Sequence, residues 1–121
     1  MLSTDEKLRR LQKALDLAGN THDISDVVQM HDDGKIHWAH NGDGSIIAEI
    51  HDFPRRRAVH LWLVSGELRD VLALEPSVIA WGRENGCTLA TATGRRGWGR
   101  AAAPLGWRPA WHHFHKAITH E

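Results

Sequence analysis

The sequence predicts an α/β protein with a mixed sheet and helices on both faces, in the order ααβββαβαββ. Three observations carry this. The first thirty or so residues repeat their apolar positions with helical spacing. A turn at Asn41-Gly42-Asp43-Gly44 joins two alternating runs and marks an antiparallel hairpin. Ala58 to Ser65 is apolar on both faces, as in a covered central strand, and is followed by an apolar helix and another strand, the order of a crossover unit.

Ser3 and Glu6 have capping-box spacing, and Leu8, Leu11 and Leu15 then recur along one side of a helix that Gly19-Asn20 ends. A second helix starts near Asp23, with Ile24, Val27, Val28 and His31 on one face and Gly34 closing it. Lys35 to His40 and Ser45 to His51 are the hairpin strands. In the second, Ile46, Ala48 and Ile50 share one face and Ile47, Glu49 and His51 the other. In the strand from Ala58 to Ser65, simple alternation puts Val59, Leu61 and Leu63 on one face and Trp62 and Val64 on the other.

Gly66 opens a helix over 67–74, and Pro76 restarts it as a first-turn residue, carrying Val78, Ile79 and Trp81 to a stop at Asn85-Gly86. Cys87 to Thr93 is the next strand, and Gly97 to Leu105 a short helix broken at Pro104. Trp107 to Ala110 and Trp111 to Ile118 are expected as a closing pair of strands.

The 121 residues fit one domain, 1–121, with one core. An apolar share of 41% and a charged share of 25% are those of a globular protein. No window reaches the roughly 18 apolar residues of a membrane span. The opening residues lack an apolar signal core, so secretion by a signal peptide is not expected. A single cysteine, Cys87, excludes an internal disulfide. The net charge of zero hides a split, with residues 1–53 carrying five Lys/Arg against ten Asp/Glu and residues 54–121 the reverse. The split suits head-to-tail association or an anionic partner on one side, unless the fold interleaves the halves.

Several side chains could carry chemistry. Glu49 and His60, on neighbouring strands, are candidates for a general base toward an amine. Of His112, His113 and His115, a strand puts only His113 and His115 on one face, so a metal site would need a third ligand such as His60 or His51, and no metal is expected. Arg55, Arg56 and Arg57 form one basic run; Arg95 and Arg96, with Arg100, form another. With Trp98, Trp107 and Trp111 they have the Arg and aromatic make-up of an interface, and contact with nucleic acid is not expected to dominate at zero net charge.

The stretches Asp43 to Glu49, Asp52 to Arg55, Val59 to Gly66, Ala80 to Arg83 with Gly86-Cys87, Gly94 to Trp98 and Leu105 to Trp107 carry a resemblance over nearly the whole chain. Together they resemble GCN5-related N-acetyltransferases (GNAT), and more narrowly small acetyltransferase-like proteins of tailed bacteriophages and prophages. The resemblance implies an acetyl-CoA site at a splay between two central strands, with the pyrophosphate held by a glycine-rich loop at a helix start. Here that loop is Ser65, Gly66, Glu67 and Leu68; only Gly66 keeps the pattern, and Glu67 and Asp70 bring negative charge. The tyrosine that commonly protonates the leaving thiolate has no counterpart, because the chain contains no Tyr.

The resulting expectation is a non-catalytic phage protein without cofactor: a virion structural, internal or assembly component. Its partners would be other phage proteins, in one copy or several, and its location the virion or host cytoplasm. The alternative is an acetyl-CoA-dependent N-acetyltransferase with an atypical loop, and a third reading is a host-directed binding protein.

Overall fold

The computed structural model describes residues 3–94, 96–110, 114 and 116–119, with the backbone alone at Arg96. The first helix, α1 (Thr4–Leu17), starts where expected: the Glu6 amide donates to the Ser3 hydroxyl at 3.2 Å. Its buried side carries Leu11 and Leu15. Gly19 and Asn20, at φ of 101° and 55°, turn the chain through the left-handed region. In α2 (Ile24–Asp32) the Asp23 amide donates to the Asp26 carboxylate at 2.9 Å, closing a capping box.

Four strands follow in one sheet, β1 (Ile36–His40), β2 (Ser45–Asp52), β3 (Arg57–Ser65) and β4 (Leu89–Ala92), in spatial order β1-β2-β3-β4. The first two junctions are antiparallel and β3–β4 is parallel. The crossover between β3 and β4 is α3 (Leu68–Glu84), a single helix and not the two segments expected around Pro76. Pro76 removes one amide donor, but Val71, Leu74 and Val78 form one buried stripe across it, and that packing holds the helix together. After β4 come α4 (Arg96–Ala102) and a 3₁₀ turn, Ala103–Leu105, which Gly106 ends at φ 93°.

Helices lie on both faces of the sheet, as expected. On one face α3 packs against Ala39, Ile46, Ala48, Val59 and Leu61. On the other, α1 and α2 pack against Ile36, Ile47 and Leu63. Leu61 and Leu63 thus sit on opposite faces, which corrects the simple alternation expected for β3. The cause is a bulge: Ile47 pairs with Leu63 but Ala48 pairs with Leu61, so Trp62 is an extra residue. The bulge reverses the phase of the strand, so Val64 packs toward the α3 face while Trp62 packs toward α1 and α2.

The closing pair of strands is not seen among the described residues. Residues 107–110 are irregular, and the Trp107 amide turns back to the Ala102 carbonyl at 3.4 Å. Trp111, His112, His113 and His115 lie outside the described residues. No described helix is long and apolar enough to cross a membrane.

Candidate functional site

The site begins with an asymmetry in β3. Along β2 it is paired from Arg57 opposite Asp52 to Ser65 opposite Ser45. Along β4 the pairing runs only from Ala58 opposite Leu89 to Leu61 opposite Ala92, and the Thr93 amide adds a last bond to the Leu61 carbonyl at 3.2 Å. The next residue of β3 is the bulged Trp62. β4 itself ends at Ala92, so among the described residues the far half of β3 has no partner along its second edge.

At the end of that open edge lies the loop Ser65–Leu68. Gly66 has φ 114°, and a Cβ there would fall 2.5 Å from the Asp43 carbonyl oxygen and 2.8 Å from Gly44 Cα. Only glycine fits, because the β1–β2 turn is pressed against the loop. Asn41 ties that turn together: its Nδ2 donates to the Asp70 carbonyl at 2.9 Å, and its Oδ1 accepts from the Gly44 amide at 2.8 Å. Glu67 caps α3 with backbone alone, its side chain making no cap hydrogen bond. Helix-start amides without a side-chain partner are donors for an outside anion. Glu67 and Arg69 are exposed and of opposite sign, whereas Asp70 is half-buried against Gly44.

Beside the parting strands runs a polar row on the α1/α2 side of the sheet. Glu49 and His60 are direct register partners, so the structure brings the two candidate bases together. Glu49 Oε1 lies 2.9 Å from His51 Nε2, and the His51 ring stacks on His60 at 4.8 Å between centroids. His60 is held at both nitrogens, Nδ1 by the Thr91 hydroxyl at 2.7 Å and Nε2 by the Thr93 hydroxyl at 3.2 Å. Burial, and then the neighbouring His51, hold its pKa below the usual histidine value against the pull of Glu49. The imidazole is therefore neutral near pH 7 and able to take a proton. His22, from the α1–α2 connection, meets the bulged Trp62 edge-on at 4.7 Å.

The expected interface residues lie elsewhere, and Arg56, Arg57, Trp98 and Trp107 make contacts within the chain. Arg56 donates to the Thr88 carbonyl at 2.6 Å. Arg57 donates to the Asn85 carbonyl at 2.7 Å and pairs with Asp52 at 2.9 Å. Both tie the start of β3 to the α3–β4 connection. Arg55 is exposed, and Trp98 and Trp107 are half-buried against the core on the α3 side. Arg95 and Trp111, the Arg96 side chain and the histidines at 112, 113 and 115 lie outside the described residues. Among the described residues no His, Cys, Asp or Glu group could hold a metal ion. Burial raises the Cys87 thiol above its usual range, which leaves it a poor nucleophile.

Sequence reasoning missed Thr91, Thr93 and Trp62. The two threonines alternate on one face of their strand, but only the parallel register with β3 sets them against His60.

No family model and no curated protein matches the sequence. Solved structures do match. An acetyltransferase of Trypanosoma brucei superposes with TM-score 0.67 at 15% identity, covering 98% of this chain and 97% of its own. The aminoglycoside N-acetyltransferase AAC(6')-Iy in complex with CoA gives 0.66 at 13% identity, covering 96% and 91%. An aminoglycoside acetyltransferase from an uncultured soil metagenomic sample, in complex with sisomicin, gives 0.64 at 10% identity, covering 94% and 88%.

At these identities the likeness shows the fold: a mixed α/β fold of GNAT type. It also corrects the expectation of a non-catalytic virion component, because these three structures of the same architecture are named acetyltransferases, one of them holding CoA. The phage, virion and structural-protein parts of that expectation have no support. Nor has the expectation that no cofactor binds.

Proposed function

We propose that this chain is an acetyl-CoA-dependent N-acetyltransferase acting on an amine. The observation that supports it most is the parting of β3 and β4 at the Trp62 bulge. It leaves a strand edge that runs on to the α3 start, with a neutral imidazole on the adjoining sheet surface. The residues fit the group. Ser65, Gly66, Glu67 and Leu68 would hold its pyrophosphate through main-chain amides, helped by the positive end of a 17-residue helix. The carboxylate of Glu67 works against this and weakens binding without blocking the amides, since it is exposed to water. When bound, acetyl-CoA supplies an acetyl group activated as a thioester.

The protein's own part is orientation and proton handling. An amine in water is largely ammonium; it leaves one proton to solvent to enter as the free amine, and its nitrogen must lose a second as the amide bond forms. His60 is the base, already neutral at working pH. Glu49, hydrogen-bonded to His51, places a negative charge close enough to favour the imidazolium once it forms.

Thiol release from acetyl-CoA, followed across a panel of amines that includes an aminoglycoside, tests the reading. Amine-dependent release that falls about 100-fold or more in His60→Gln is expected. Release that no amine stimulates, in folded protein, would contradict it.

A further inference from the structure

The acetyltransferase reading leaves one proton unaccounted for. The thiolate that departs must be protonated, and the chain has no tyrosine to do it. The Cys87 thiol does not serve: it lines a cavity of about 210 Å³ with Val59, Ile79 and Leu89 on the α3 side of the sheet, away from the polar row. Thr93 remains. Its amide makes the last bond between β3 and β4, its hydroxyl lies 3.2 Å from His60 Nε2, and it is exposed where Thr91 is half-buried.

We infer that the Thr93 hydroxyl is the proton conduit between His60 and the reacting atoms, in both directions, and that Thr91 is a positioning residue that fixes the His60 tautomer. The inference rests on the acetyltransferase reading. A base toward the slot needs its lone pair on the side of the exposed Thr93, so we assign Nδ1–H as the donor to Thr91, 2.7 Å away. Nε2 is then the acceptor and takes a hydrogen bond from the Thr93 O–H. As the amine nitrogen bonds the acyl carbon, its proton passes to Thr93 Oγ1 while the Thr93 proton moves to Nε2. As the C–S bond breaks, the imidazolium returns its proton to Thr93 Oγ1, which passes one to sulfur. The products are amide and thiol, His60 and Thr93 end as they began, and no outside acid is consumed. One imidazole thus serves as base and acid, and a hydroxyl that stays neutral at every resting stage links it to the slot. The titratable groups facing His60 from β2 are His51 and Glu49, and from β4 the neighbours are the two threonines.

The test pairs kinetics with a measurement on the free protein. Thr93→Val is expected to lower kcat about 10- to 100-fold with the KM for acetyl-CoA within about twofold, while Thr93→Ser restores most of kcat. Nitrogen NMR of His60 in the free protein should show Nδ1 protonated, a preference that Thr91→Val loses and Thr93→Val keeps. If the wild type releases no thiol with any amine, the acetyltransferase reading falls and takes this inference with it. If the wild type turns over but Thr93→Val matches it across the pH range, the inference alone falls. A neutral His60 protonated at Nε2 would also overturn it.

Discussion

The two edges of β3 carry opposite assignments. Toward β2 the strand is paired from end to end except at Trp62, and the bulge there is absorbed by a change of facing residues. Toward β4 the same bulge coincides with the end of pairing at Leu61. One extra residue therefore does two things. It moves Leu63 from the α3 core to the α1/α2 core, and it frees the edge that a ligand could use. A regular strand would have put Leu61 and Leu63 in the same core and left no slot. The comparison teaches that the stability of one edge is what permits the other to stay open.

The largest effect should come from the buried side of this arrangement. Leu63 is 2% exposed in the α1/α2 core, and Leu63→Ala should cost about 2–5 kcal/mol in denaturant unfolding. A loss under about 1 kcal/mol would mean that Leu63 is not part of a packed core. Next comes the loop at the open end. Gly66→Ala should cost about 1–3 kcal/mol, since it adds a Cβ against Asp43 and Gly44 to an unfavourable backbone angle. Gly86→Ala is the control, at φ 80° with open space around it, and should cost only about 1 kcal/mol. Equal losses would remove the claim that the β1–β2 turn shapes the loop.

A gentler effect concerns pH. Burial lowers the pKa of His37, His40 and His60 in the folded chain. Below the ordinary histidine pKa of 6.5 the unfolded chain takes up protons that the folded chain refuses. Stability is therefore fully present above pH 6.5 and is lost as pH falls toward the lowered folded values. A midpoint of thermal unfolding that stays flat or rises from pH 7 to pH 5.5 would contradict this. The smallest effect is electrostatic: Glu67→Gln should tighten acetyl-CoA binding about two- to fivefold, most visibly at low salt. Weaker binding would place the pyrophosphate elsewhere.

Much of the fold was legible in the sequence, because caps, periodicity and the Asn41–Gly44 turn are local signals. The bulge was not. Ala58 to Ser65 is apolar on both faces, so either phase reads equally well, and only pairing with β2 decides it. Glu49 and His60 could be named as candidates one at a time. Their juxtaposition, and the clamp of Thr91 and Thr93, depend on register between strands well separated along the chain. The charges of Glu67 and Asp70 misled in the other direction. The sequence counts two carboxylates at the loop, but the fold presses Asp70 against Gly44 and leaves Glu67 in water.

The central claim is that the open edge of β3 and the Ser65–Leu68 loop form an acetyl-CoA site. Titration of acetyl-CoA into the wild-type protein by calorimetry tests it most directly. The account predicts saturable one-to-one binding in the micromolar range; no heat of binding with the ligand at millimolar concentration would contradict it.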